Sequence, residues 1–485
     1  MPPPNTTQPT TKQRVDKLLA QIDDPKLKRG LEAEFRHLES RKKYGLVWED
    51  RPEKVEEDLE SRIPVLTPIP SLDVVGAFPR PNRPHLLIEG DNLHALTVLQ
   101  HTHKSKIDVI AIDPPYNTGK EFVYNDRLVN KDDQWCHSAW LSFMSKRLRL
   151  ARELLKDEGV IFIHIDDNEQ AQLKLLCDQV FGDKNFVGQV VWDGGAVKNN
   201  ARFLCVTHEY ALVYHKKQAA LLASGVRWRT QREGYAEMMN EYNAIRQSHG
   251  ADDDLVSKEL TRWLQSSNMP KRLRVFNRVD ARGPYTAADL SAPGGNGGNF
   301  DLIHPATGKP CVKPSRGWGY RKEVLEALVA DDRIIFGSDE TKQPLKRLYL
   351  RETSEAVYRS VVTYPARRST HTLEHMIGRE KFNNPKNLEY IQDLIRLTVP
   401  SDGVVLDFFA GSGTTGHAVA ALNKEDGGTR QAILVTNNEN NICRAVTQPR
   451  MKAVLTGAWS DGKTHDPLPG SLKFYKTGFV KKSDS

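Results

Sequence analysis

Two short stretches of this chain carry residue types able to do chemistry. The first is Asp113-Pro114-Pro115-Tyr116, which closes the apolar run IDVIAID. A carboxylate at a strand end can accept a hydrogen bond from an exocyclic amino group and orient its nitrogen lone pair, while the Pro114 carbonyl accepts the second N–H. Tyr116 offers an aromatic face for stacking, and Pro114 and Pro115 keep the intervening backbone stiff. A plain Asp-Pro-Pro turn at a strand end is the alternative without chemistry. The second stretch is DFFAGSGTTG (407–416), where Gly411, Gly413 and Gly416 fit a GxGxxG turn that lets a ligand approach the backbone. Nicotinamide-dependent dehydrogenases and purely structural turns share that pattern. Asp407, just before the turn, suits a polar or cationic part of a ligand, and Glu439, at the end of the next strand, can accept from ribose hydroxyls. Together they suit a nucleoside without a pyrophosphate, with S-adenosylmethionine as the candidate.

Open α/β sheets build ligand crevices at the carboxyl ends of their strands, so both stretches need such a sheet behind them. The apolar runs are HLLIEGD (85–91), IDVIAID (107–113), GVIFIHID (159–166), VGQVVW (187–192) and THEYALVYHKK (207–217), with a helix predicted over 140–155. The rhythm fades between 218 and 380, where segments rich in Trp, Arg and Gly such as SAPGGNGGNF (291–300) take over. It returns with the helical LEYIQDLIRLTV, the strand GVVLDFF (403–409), a helix over 415–422 and the strand QAILVTNNE (431–439). The predicted fold is α/β, a doubly wound, largely parallel Rossmann-like sheet built from both ends of the chain. Five segments follow: a tail and two short amphipathic helices (1–48), a Pro-rich linker (49–84), the half carrying DPPY (85–217), an inserted domain (218–380) and the half carrying the glycine turn (381–485).

Composition excludes several classes. Of 485 residues, 39% are hydrophobic and 27% charged, and no 18-residue apolar run exists, so no membrane-spanning helix is predicted. The start, MPPPNTTQPTTKQR, lacks an apolar h-region, and none of the five cysteines sits in a CxxC pair. A cytoplasmic protein without disulfides is the expectation. His101 and His103 read as surface residues, so no metal is expected.

The motif order, with DPPY ahead of the glycine turn and a long variable region between, resembles the β class of amino-group DNA methyltransferases over residues 44 to 480. GDNLHAL with Asp91, the helix with Trp140, Phe143 and Met144, GVIFIHIDDNE (159–169), FGDKNFVGQVVW (181–192) and NNPKN (383–387) carry it. DPPYNTGKEFVYNDR (113–127), VDARGPYTAADLSAPGG (279–295), GWGYRKE (317–323) and ILVTNNENNICRAVTQPR (433–450) are similar to the Mod subunits of Type III restriction-modification systems and their solitary relatives. One departure follows LKFYKTGFV (472–480), where a full Mod subunit has a longer tail.

The resemblance implies a methyl donor, S-adenosylmethionine, over Gly411 and Gly413. Asp407, Glu439 and Asp91 would take its polar ends, with Phe409, Thr414 and Lys386 as further contacts. It implies that the target base is flipped out of the duplex, received by Tyr116, and bounded by Phe122 and Tyr124. Asp113 and the Pro114 carbonyl would align the amine, and the leading Asp goes with adenine N6 more often than with cytosine N4. Cys311, inside the variable region, is not expected to serve as a cytosine-C5 nucleophile. The inserted domain would be a target recognition domain for double-stranded DNA. It holds two basic stretches, with Arg262, Lys271, Arg272, Arg274, Arg278 and Arg282 in one, and Lys346 and Arg347 in the other, although such runs also form plain solvated faces. A homodimer, a restriction or phage-defence partner subunit, or a role as the DNA-recognition subunit of a nuclease or helicase complex all follow from the resemblance. RNA is the weaker substrate reading.

Overall fold

The computed structural model describes residues 53–482 apart from 81, 120–122, 125–126, 129–135, 196–202 and 295–296, together with scattered residues before 53. The helices predicted before residue 48 fall largely outside the described residues, and Phe122 falls wholly outside. The chain divides into two compact units, Met1–Gly225 with Ser360–Ser485, and Val226–Arg359.

The first unit begins with α1 (Lys54–Ser61), β1 (Arg62–Pro68), β2 (Val74–Val75), β3 (His85–Glu89), α2 (Asn92–His103) and β4 (Ile107–Ile112). A hairpin of β5 (Val123–Tyr124) and β6 (Arg127–Leu128) leads to α3 (Cys136–Leu154), β7 (Leu155–Ile165), α4 (Gln170–Phe181), β8 (Phe186–Asp193), β9 (His208–His215) and α5 (Gln218–Ala223). The second unit contains β10 (Arg229–Gln231), α6 (Tyr235–His249), α7 (Asp253–Ser266), β11 (Arg278–Asp280), β12 (Gly283–Ala288), α8 (Lys322–Ala330), β13 (Ile334–Ile335), β14 (Leu345–Tyr349) and β15 (Glu355–Val357). The first unit resumes with β16 (Val361–Thr363), α9 (Ala366–Ile377), α10 (Leu388–Thr398), β17 (Val404–Asp407), α11 (Thr414–Asp426), β18 (Gln431–Thr436), α12 (Gln448–Thr456) and β19 (Ser471–Lys481).

One sheet runs in the order β1-β19-β3-β18-β17-β4-β7-β9-β8-β16, with β2 on β19. From β19 to β7 every neighbouring pair is parallel; β9 lies antiparallel between β7 and β8. All six residues of β4 are buried, as a parallel strand covered on both faces requires. The step from β17 to β18 moves one way across the sheet and the step from β4 to β7 moves the other. The winding therefore reverses between β17 and β4, and the crevice of a doubly wound fold opens at the carboxyl ends of such a pair. Buried Asp108 fixes their relative height: its carboxylate accepts from the Val404 N–H (2.8 Å) and the Lys156 ammonium (2.6 Å). No described helix is long and apolar enough to cross a membrane.

Two segment boundaries differ from the sequence reading. Residues 49–84 are not simply a linker, since α1, β1 and β2 lie there and β1 pairs with β19 along seven residues. The prolines that suggested a linker, Pro64 and Pro68, sit on the outermost strand, where a missing N–H disrupts least. The inserted unit is also shorter than 218–380, because β16 pairs with β8 in the main sheet. The insertion has its own four-stranded antiparallel sheet, β11-β12-β14-β13. One cluster of its core, around Met238, Val256, Leu260 and Leu273, joins α6 to α7. Phe276 is buried in that cluster and Tyr349 is buried on β14, only 3% and 6% exposed.

Candidate active site

An open cleft of about 490 Å³ lies at the carboxyl ends of β4 and β17, lined by Asp113 on one rim and by Asp407, Phe409, Gly411 and Thr414 on the other. Lys386, just ahead of α10, and His164, from β7, complete its walls. Residues nearly 300 positions apart in sequence meet here because β4 and β17 are adjacent and parallel.

The loop after β4 is held from several sides. The Trp140 indole, fully buried on α3, donates to the Pro115 carbonyl at 2.7 Å. Asn117, at positive φ (57°), donates through Nδ2 to the Glu169 carboxylate (2.5 Å) and to the Cys136 carbonyl (3.2 Å). Burial pushes the Glu169 pKa up, while Asn117 and His137 oppose that shift by bonding the carboxylate. Among the described residues no donor reaches the Pro114 carbonyl, so the acceptor expected for a substrate N–H is unoccupied by protein.

Asp113 sits in a charged cluster that the sequence reading only half anticipated. The Tyr116 hydroxyl donates to Asp113 Oδ1 at 2.7 Å and accepts from Lys386 Nζ at 2.5 Å. The Lys386 ammonium also lies 3.2 Å from Asp113 Oδ1 and 2.5 Å from Glu209 Oε2. Its nitrogen faces the rings of Tyr116 (4.9 Å) and Trp192 (5.4 Å). Burial alone would lower the Lys386 pKa, but the Asp113 and Glu209 carboxylates outweigh it and the pKa rises, so the side chain stays an ammonium. His164 is neutral, its pKa lowered by burial and then by Lys386. Its Nδ1 bonds the Ile112 carbonyl at 3.0 Å, leaving Nε2 without a partner among the described residues.

The glycine turn is built for close approach. Gly411 and Gly413 have φ of 48° and 78°, the left-handed region that favours glycine. Gly416, on α11, has another role: an added Cβ would stand 2.7 Å from Met451 Sδ and 2.8 Å from Leu434 Cδ1, so it allows the helix to pack on the sheet. Asp407 is 5% exposed; its oxygens accept from the Phe409 N–H (3.0 Å) and the Thr415 hydroxyl (2.6 Å). Burial, then the nearby Asp113 charge, raises its pKa from 3.8 to about 7 against those two hydrogen bonds. Behind the turn, buried Arg450 donates to the Ser412 hydroxyl (3.1 Å) and the Thr414 hydroxyl (2.8 Å). A cleft with bare glycine backbone, a buried carboxyl for a cationic group and a helix amino terminus for an anionic one fits S-adenosylmethionine, which carries a sulfonium, an ammonium and a carboxylate.

The remaining candidates are more dispersed. Asp91 caps α2 through the Leu93 N–H (2.7 Å) and lies 3.6 Å from fully buried Arg147. Its neighbour Asn92 donates to the Phe408 carbonyl (3.0 Å), which ties this corner to the glycine strand. Glu439 lies in an exposed single turn beyond the end of β18 and is not in the cleft lining. Tyr124 is in the β5–β6 hairpin. Within the inserted unit, Arg274 donates to the Met269 carbonyl (2.8 Å), and Arg347 pairs with Asp332 (2.6 Å) at 22% exposure. Lys346 approaches the Tyr320 ring. Arg262, Arg272 and Arg282 pair with Glu259, Glu233 and Asp331 at the surface. Lys271 and Arg278 are exposed, with no acidic partner within ion-pair distance among the described residues. Cys311 is buried, and burial raises its pKa, the opposite of an activated thiol.

Sequence reasoning missed Glu209, Glu169, His164 and Arg450. GVIFIHIDDNE held a signal for one of them, since His164 is a polar residue inside an otherwise apolar strand pattern.

A profile of the DNA methylase family matches residues 107–448. The chain is 35% identical over 386 residues to the Type III restriction-modification enzyme EcoP15I Mod subunit of Escherichia coli, covering 74% of this chain and 59% of that one. It is 35% identical over 382 residues to the StyLTI Mod subunit of Salmonella typhimurium, covering 73% and 52%. It is 30% identical over 381 residues to the Type II methyltransferase M.KpnI of Klebsiella pneumoniae, covering 72% and 79%. The chain thus spans between half and three fifths of the length of these two Mod relatives. With Asp113 and the glycine turn on one cleft and the family profile covering most of the sequence, the chain belongs to the DNA methylase family.

Proposed function

We propose that this protein is a site-specific DNA methyltransferase that moves a methyl group from S-adenosylmethionine to adenine N6 in duplex DNA. The observation that carries the reading is the shared cleft, in which the Asp113 rim and the glycine rim face one space. When bound, the donor supplies a methyl group on a positively charged sulfur. Gly411 and Gly413 let it lie against backbone, and Asp407 offers a carboxylate to its cationic end. A base inside a duplex hides its amino group, so the target must be flipped out at roughly a few kcal/mol. Tyr116 offers its ring to the flipped base. Asp113 Oδ2 and the Pro114 carbonyl, both without protein donors among the described residues, accept the two N–H groups. They point the nitrogen lone pair toward the methyl group, so catalysis rests on orientation.

The inserted unit, with exposed Lys271 and Arg278, is the proposed target recognition domain. Adenine is favoured over cytosine N4 by the leading Asp113. The relatives named Mod subunits support a restriction-modification setting with a partner subunit; a homodimer is a second assembly consistent with that setting. Transfer of isotopically labelled methyl from S-adenosylmethionine to duplex DNA tests the reading. Incorporation by wild type and none by Asp113→Ala is expected, and a wild type inert toward DNA of many sequence contexts would refute it.

A further inference from the structure

Resting on the methyl-transfer reading, we propose that Glu209 is a positioning residue that leaves the amine end of the cleft with one net negative charge. It does so by holding the Lys386 ammonium against Asp113 and Tyr116. Asp113 and Lys386 cancel each other in charge at 3.2 Å, and Glu209, 2.5 Å from the same ammonium, supplies the excess. Glu209 stands on β9 opposite Trp192 of β8, whose ring the ammonium also faces. The register of two antiparallel strands therefore fixes the carboxylate and one wall of the cation's cage together. With Oδ1 of Asp113 engaged by Tyr116 and Lys386, the carboxylate cannot rotate freely and Oδ2 is left for the substrate amine.

The excess charge matters because of how charge moves in the reaction. As the N–C bond forms from the amine lone pair, the C–S bond breaks and its electron pair goes to sulfur. One positive charge passes from sulfur to nitrogen, and a proton then leaves that nitrogen for Asp113 or water. A fixed negative charge at the nitrogen end stabilises the transition state more than the ground state. Neutralising it should slow the chemical step and leave binding alone.

The test compares Glu209→Gln, which keeps the shape and loses the charge, with Glu209→Asp, which keeps the charge. In single turnover with saturating donor and a duplex carrying the methylated sequence, Glu209→Gln should be slower by roughly 10–100-fold. Glu209→Asp should recover most of that loss. Donor affinity by calorimetry, and flipping of 2-aminopurine at the target position measured without donor, should both stay within about twofold of wild type. A Glu209→Gln rate within twofold of wild type, an Asp variant as slow as the Gln variant, or a loss of affinity equal to the loss of rate would each overturn the inference. A second readout needs no activity, namely nitrogen-15 titration of Lys386 in the ligand-free protein, where the ammonium faces Asp113, Tyr116, His164 and Glu209. Deprotonation at lower pH in Glu209→Gln is expected. An unmoved titration would overturn the inference even if wild type methylates nothing, a result that would separately refute the functional reading.

Discussion

Asp407→Asn separates what the cleft costs the fold from what it gives the ligand. The wild-type carboxyl is buried beside Asp113, and folding raises its pKa from 3.8 to about 7. An acid raised on folding contributes its stability in full below pH 3.8 and loses it as pH climbs through about 7. At roughly 1.36 kcal/mol per pKa unit, the ionised carboxylate in the ligand-free protein costs about 4 kcal/mol at pH 8. Water entering the open cleft reduces this toward about 2 kcal/mol. Asn keeps the acceptor for the Phe409 N–H and can donate to the Thr415 hydroxyl, so the neutral variant retains both contacts. Denaturant unfolding of the ligand-free proteins at pH 8 should show the variant more stable by about 2–4 kcal/mol, with the gap closing by pH 4. Calorimetry at pH 8 should show S-adenosylmethionine binding weakened roughly tenfold or more, about 1.4 kcal/mol for each factor of ten. A variant that is less stable than wild type at pH 8, or a stability gap independent of pH, would refute the burial argument.

Three further outcomes follow from the same geometry. Glu169→Ala should leave the buried Asn117 amide without its closest acceptor and loosen the loop behind Tyr116, costing about 2–3 kcal/mol in denaturant unfolding and lowering kcat; unchanged stability would remove Glu169 from that role. Gly416→Val should destabilise the fold by about 1–3 kcal/mol through contact with Met451 and Leu434, read as a lowered Tm, and a Tm equal to wild type would contradict the packing. Replacing Lys271 and Arg278 together with Ala should reduce the slope of log affinity for DNA against log salt by roughly 2, while Arg274→Ala should mainly lower stability; the opposite pattern would move the DNA track elsewhere.

The sheet was legible because β4, β7, β17 and β18 hold short apolar runs, the first three closed by Asp113, Asp166 and Asp407, and burial on both faces leaves such runs in a sequence. That Asp113 and Gly411 share a cleft required only that those runs be parallel neighbours. Edge elements were less legible: β1 contains two prolines and β16 is three residues long, so neither announces a strand. The Lys386–Glu209 pair was hidden for a different reason. Its members are 177 positions apart, on the approach to α10 and on β9, and a carboxylate in THEYALVYHKK reads as the solvent side of an alternating strand until the fold brings a buried ammonium to it. The basic stretches of the insertion show the converse. Charge runs located the cations along the chain but did not separate Arg347, tied to Asp332, from exposed Arg278.

Single-molecule sequencing of DNA from cells producing the wild type, set beside DNA from cells producing Asp113→Ala, shows whether the Asp113 cleft methylates adenine. N6-methyladenine should be confined to one short sequence context in the first and absent from the second. Unmodified DNA from wild-type cells, or the same mark persisting with Asp113→Ala, would contradict the methyl-transfer reading.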